Sequence, residues 1–162
     1  MGGKRTETEL REFYEQWASV VSTFCRFYLG NVEVAENAVA QGFLDYFRCG
    51  YPLRLDHLPT ALISLTLEEC DRSGGGAVEV DSGFEAAVLG LLPEERAVFI
   101  LHGVLDLQLP WVAVVTGTSY PGVSQLWLRS LVQLRMFIVH DGCSRLFADG
   151  GLEPESSRGT SA

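Results

Sequence analysis

The chain has 162 residues, 47% of them hydrophobic and 20% charged, enough for one ordinary domain or two very small ones. Its 12 Lys and Arg stand against 21 Asp and Glu, and the formal net charge of −9 argues against unaided, non-specific binding to polyanions, which depends on neutralising phosphates. No apolar run approaches the roughly 20 residues of a membrane span, and "MGGKRTETEL" lacks the apolar stretch of a secretory signal, so a soluble, cytoplasmic protein without membrane contact is expected.

From Thr6, the residues Leu10, Phe13, Tyr14, Trp17, Val20, Val21, Phe24, Phe27 and Tyr28 recur at steps of three and four, which predicts one long amphipathic helix stopped at Gly30-Asn31. A second helix begins near Val32, with Val34, Ala35, Ala38, Val39, Phe43, Leu44 and Phe47 expected on its inner side, and ends near Cys49-Gly50. After the loop "GYPLRLDHLPT", Pro59 suits the first turn of a third helix whose stripe is Leu62, Ile63, Leu65, Thr66 and Cys70. These three helices are expected to close one small core.

The stretch "RSGGGAVEVDSG" is the one strong composition break, because consecutive glycines favour neither helix nor strand and cost most to order. Beyond it, Ser82 is placed to cap a short helix reaching Leu89. Pro93 then opens "LLPEERAVFILHGVLDL", whose inner face is expected to be Val98, Phe99, Leu101, Val104 and Leu105. Pro110 starts a short helix, Gly117 makes a tight turn, and Thr118 or Ser119 caps a last helix running toward Val139.

No segment alternates like a strand for more than about four residues, so the expected class is all-α. The expected organisation is a helical domain over residues 6–72, a glycine-rich linker over 73–81, a helix-turn-helix domain over 82–140 and a mobile polar tail over 141–162. On the last helix Leu126, Trp127, Leu128 and Leu131 exceed one packing face, which predicts their burial against the first domain, a partner or a second copy.

Motifs of catalysis and metal binding are missing. The four cysteines, Cys25, Cys49, Cys70 and Cys143, form no Cys-x-x-Cys pair and read as buried, reduced thiols. His57, His102 and His140 fall on separate segments, and no Walker-type, Glu-x-x-His or nucleophile-elbow pattern occurs, so neither an enzyme nor a metal or cofactor is expected. An aromatic pocket for a flipped base would draw on Tyr51 or Trp17, although aromatic side chains on helices more often pack in cores.

Two patches together resemble the extracytoplasmic-function sigma factors, small two-domain specificity subunits of bacterial RNA polymerase. In the first, Ala35, Glu36, Asn37, Ala38, Val39, Ala40, Gln41, Gly42 and Phe43 are similar to the family's Ala-Glu-Asp-x-x-Gln-x-x-Phe pattern of region two, with Asn37 for the aspartate and Ala40 for the glutamine. In the second, Leu92, Pro93, Glu94, Glu95, Arg96, Phe99, Leu101, Ala113, Gly117, Val123 and Arg129 fall where region four has its Leu-Pro, arginine, apolar core and helix-turn-helix residues. A small residue lets two helices cross closely, glycine permits the turn, and a branched residue anchors the second helix.

The resemblance implies a transcription initiation factor. RNA polymerase core would be bound through the second helix, at Glu36, Asn37 and Gln41 with Phe43 nearby, and promoter DNA would be read by Ser124, Gln125 and Arg129 of the last helix with Arg72 of the third. An anti-sigma factor is the further partner implied. Between Gly117 and Met136 the only charged side chains are Arg129 and Arg135, and "LTLEECDRS" sets Glu68, Glu69 and Asp71 beside Arg72, so the alternative is a sigma-like regulator that binds polymerase, an anti-sigma factor or another protein without reading DNA. An unrelated helical ligand-binding protein is the remaining alternative.

Overall fold

Thr6 begins the fold with a reciprocal cap. Its hydroxyl accepts from the Glu9 backbone N–H at 3.3 Å, while the Glu9 carboxylate accepts from the Thr6 N–H at 3.0 Å. Donation to it from the Thr6 N–H and, at 3.1 Å, from the Thr6 hydroxyl holds the Glu9 carboxyl below its ordinary pKa. The computed structural model describes residues 5–74, 78 and 83–149, with side chains through 140.

Helix α1 spans Glu7–Leu29, α2 Val32–Arg48 and α3 Thr60–Ser73. Gly30 ends α1 in the left-handed region at φ 66°, its N–H donating to the Arg26 carbonyl, and Asn31 caps α2 by accepting from Val34 N–H at 3.0 Å. Pro59 stands immediately before α3, at its N-cap. Between α1 and α2 the Phe13 ring stacks on Tyr46 with centroids 4.9 Å apart and meets Phe43 edge-on. Cys25 and Cys70, both fully buried, bring α1 and α3 to a sulfur–sulfur distance of 3.7 Å. These contacts pack α1, α2 and α3 against one another.

The second half runs through α4 (Phe84–Leu89), α5 (Pro93–Val98), α6 (Leu109–Thr116) and α7 (Tyr120–Asp149). Helix α5 widens into a π-helical turn over Phe99–Val104. The extra residue per turn rotates the following side chains, so Ile100 is fully buried although the simple helical stripe passes over it, and Val104 and Leu105 lie only partly buried. Gly117, at φ 66°, ends α6 and donates to the Ala113 carbonyl. Ser119 then accepts from the Gly122 N–H at 3.3 Å at the head of α7.

The two halves share one apolar core. Phe27 of α1 meets Phe84 edge-on at 6.1 Å, Phe84 in turn meets Phe99 at 5.8 Å, and the Ser64 hydroxyl of α3 donates to the Val115 carbonyl of α6 at 3.3 Å. Arg96 joins two helix ends. It donates to the carbonyls of Tyr28 (2.8 Å), Leu89 (2.6 Å) and Leu91 (3.0 Å), at the closing turns of α1 and α4.

All elements among the described residues are helical, and no strand occurs among them, so the fold is all-α. Of the expected linker, residues 75–77 and 79–81 lie outside the described residues, as does the proposed cap Ser82; Gly83 takes the position before α4. Helix α7 runs to Asp149, ten residues beyond its expected end and into the stretch assigned to a mobile tail, because no glycine pair or proline interrupts it before Gly150. Residues 150–162 lie outside the described residues. No described helix is long and apolar enough to cross a membrane.

Candidate functional site

The helix-turn-helix pair is built from apolar anchors. Val112 and Val115 of α6 and Val123 of α7 are buried, and the Thr118 N–H donates to the Ala113 carbonyl at 3.2 Å, closing the turn around Gly117. Farther along α7, Trp127 lies parallel to Phe99 at 5.8 Å and edge-on to His102 at 4.6 Å. The π-turn makes that seat. A Cβ on Gly103 would come within 3.1 Å of the Trp127 ring, and His102 is oriented by a 2.8 Å contact between Nδ1 and the Leu107 carbonyl.

The proposed readers differ in what they have to offer. Gln125 and Arg129, one helical turn apart, are exposed, and among the described residues Arg129 makes no ion pair. Ser124 is half-buried and its hydroxyl donates to the Tyr120 carbonyl at 3.0 Å, so its proton is already used inside the helix. Arg72, at the end of α3, is paired with Glu69 at 2.8 Å and Glu68 at 3.8 Å, which neutralises the cation locally. It lies on α3, whereas the other three proposed readers lie on α7.

The proposed polymerase-binding set separates into two faces of α2. Glu36 and Asn37 are exposed, and Gln41 is half-buried with its amide donating to Asp45 at 2.9 Å. Phe43 takes the inner position expected of it, 2% exposed beneath Tyr14 with ring centroids 4.8 Å apart, and so stands behind the proposed docking face rather than on it. Leu44, expected inside, is 47% exposed instead. A residue step of 100° carries Leu44 past the margin at which Phe43 is still covered. The outer face therefore reads Glu33, Glu36, Asn37, Ala40 and Leu44, a spacing of three and four that the sequence already contained.

Other expectations meet mixed outcomes. Cys49 is exposed at the C-cap of α2, not buried, because the helix ends there without a covering element; the Cys143 side chain lies outside the described residues. Tyr51 stacks on Tyr46 at 5.1 Å, and an open hollow of about 420 Å³ over the start of α1 is lined by Glu9, Glu12 and Asp56 with Arg54, which pairs with Glu9 at 3.6 Å. Leu126 and Trp127 pack against the core, whereas Leu128 at 61% exposed and Leu131 at 40% are not covered by this chain. Among the described residues no cluster of His, Cys, Asp and Glu is arranged to hold a metal ion.

One hydrogen-bonded series crosses between the halves. The Tyr28 hydroxyl donates to the Asp71 carboxylate, and the Tyr28 ring lies under the Arg96 guanidinium, 5.4 Å from centroid to carbon. Burial, followed by the bond to Asp71, pushes the Tyr28 phenol well above its ordinary pKa, and burial lowers that of Arg96. Sequence reading placed Arg96 by resemblance and had no signal for Asp71 as its neighbour.

No protein-family model and no curated protein matches the sequence. Among solved structures, that of CnrH in complex with the cytosolic domain of CnrY is similar, with a TM-score of 0.70 over 84% of this chain and 91% of that chain, at 14% sequence identity. At that identity the likeness establishes that this chain shares the all-α fold of CnrH.

Proposed function

We propose that the chain is a sigma-factor-like protein that binds RNA polymerase core through the outer face of α2 and contributes to promoter recognition through Gln125 and Arg129 of α7. The observation that carries this reading is the likeness of the helical arrangement, over 84% of this chain, to CnrH, an extracytoplasmic-function sigma factor. Polymerase supplies basic surfaces of its own, so a chain of net charge −9 need not hold DNA unaided. The reading places the protein in a bacterial cytoplasm, without catalysis of its own. It is tested by run-off transcription with the host's core polymerase: a transcript that Gln125→Ala with Arg129→Ala abolishes supports it, and its absence despite polymerase binding refutes promoter reading.

A second reading is a sigma-like regulator that engages a protein through its second half and reads no DNA. It is favoured by the chemistry of α7, where Ser124 is internally bonded, Arg129 is the single charge among the proposed readers, and Leu128 and Val132 are exposed. The CnrH structure is itself a complex with the cytosolic domain of another protein, which makes an anti-sigma-type partner a natural candidate. Polymerase binding without a transcript would leave this reading in place.

A further inference from the structure

We infer that the exposed stretch of α7 from Leu128 to Val139, together with the groove it forms against α4, is the seat of an acidic amphipathic helix from another protein; this inference rests on the second reading above. Met136, Phe137, Ile138 and Val139 are consecutive, and a step of 100° per residue sends their side chains to four sides of the helix. Each is 40 to 63% exposed. A helix apolar all round is an enclosed helix, yet among the described residues only one side of this stretch is covered. On that side Met136 and Phe137 face Ala87, Gly90 and Leu91 across a groove of about 450 Å³. Leu128 and Val132, one turn apart and both exposed, extend the apolar surface toward the head of α7.

Charge selects the occupant. All 21 acidic residues of the chain lie outside residues 107–140, and within that stretch Arg129 and Arg135 stand exposed on α7. Neither makes an ion pair among the described residues. A twofold pairing of α7 with a second copy would set these cations against their own images. A DNA backbone would place phosphates over a surface that offers two cations and a row of apolar side chains. A helix with an apolar stripe and flanking carboxylates satisfies both features, burying the stripe along α7 and pairing its acids with Arg129 and Arg135.

The test uses the full chain and two labelled synthetic helical peptides of about 20 residues with the same leucine stripe, one with Glu and the other with Lys at every flanking position. Fluorescence anisotropy should show the Glu peptide binding about tenfold more tightly than the Lys peptide, with that order reversed by Arg129→Glu with Arg135→Glu. Met136→Ser with Phe137→Ser, at exposed positions, should weaken the Glu peptide about tenfold and leave the helical circular-dichroism signal unchanged. Equal binding of the two peptides, binding of neither, or a dimer in sedimentation equilibrium that the serine variant dissolves would overturn the inference. Run-off transcription decides the second reading and peptide binding decides this seat, and neither measurement uses the other's components.

Discussion

Arg96 holds Tyr28 twice: its Nη1 donates to the Tyr28 carbonyl at 2.8 Å, and its guanidinium carbon lies 5.4 Å from the centroid of the Tyr28 ring. The two residues belong to opposite halves of the chain, 68 positions apart, so this contact is part of what fixes one half on the other. Arg96 also closes the carbonyls of Leu89 and Leu91, a task for which the planar, forked guanidinium is suited and an ammonium is not. Arg96→Ala should therefore destabilise the chain by roughly 2–4 kcal/mol, and Arg96→Lys by less, because lysine keeps the charge but cannot span three carbonyls. Urea unfolding monitored by circular dichroism measures both; a loss under about 0.5 kcal/mol for Arg96→Ala would mean that the halves are held by the apolar core alone.

Tyr28 makes stability depend on alkaline pH. Its pKa is raised in the folded state by burial and by the bond to Asp71, so the folded chain keeps this proton more tightly than the unfolded chain. The contribution is fully present below pH 10, the ordinary tyrosine value, and is lost as the pH rises from there toward the raised folded value. Tyr28→Phe should cost about 1 kcal/mol at neutral pH, where exposed Asp71 regains water, and should flatten the loss of stability above pH 10 relative to the parent. Identical alkaline slopes for the two proteins would contradict the assignment.

Helices α2 and α3 approach most closely at Gly42. A Cβ there would stand 2.3 Å from the Thr66 hydroxyl and 3.2 Å from the Thr66 Cα, and backbone cannot swing aside as a flexible side chain does. Gly42→Ala should cost about 1–3 kcal/mol through overpacking, despite the better helix propensity of alanine. A shifted midpoint in urea at unchanged slope is the expected signature.

On α2, neighbouring residues should separate folding from docking. Phe43→Ala removes a core ring and should cost about 3–5 kcal/mol. Leu44→Arg changes an exposed residue and should leave the unfolding midpoint nearly unmoved, while weakening association with polymerase core by roughly tenfold if this face docks. Unchanged association of Leu44→Arg in gel filtration or biolayer interferometry would remove the outer face of α2 from the polymerase interface.

Along α7, Leu126 and Leu128 make a matched pair for the same purpose. Leu126 packs against the core between the halves, so Leu126→Lys should lower stability by about 2–4 kcal/mol. Leu128 is 61% exposed, and Leu128→Lys should leave the chain as stable as before within about 0.5 kcal/mol. Thermal unfolding distinguishes them, and equal effects would mean that α7 is rotated from the orientation described.

The helices and most of their ends could be read locally. Thr6 with Glu9, Asn31, Gly30, Pro93 and Gly117 act within one or two turns, and capping chemistry, positive φ and apolar periodicity depend on near neighbours. The candidate site was less legible. Phe43 and Leu44 are adjacent and both apolar, and the packing of Phe13 and Tyr14 of α1 over Phe43 decides which is core and which is surface.

By itself the sequence determined an all-α chain, the order of its helices and the anchors of a helix-turn-helix, since each follows from spacing and cap chemistry along a short stretch. Tertiary structure alone decided what those helices present. It turned the Ser124 hydroxyl inward to the Tyr120 carbonyl, paired Arg72 with Glu68 and Glu69, widened a turn to seat Trp127, and joined Arg96 to Tyr28 across the two halves. The physical reason is that periodicity fixes which side of a helix faces inward, whereas the exposure of a side chain at the margin depends on which distant residue packs over it.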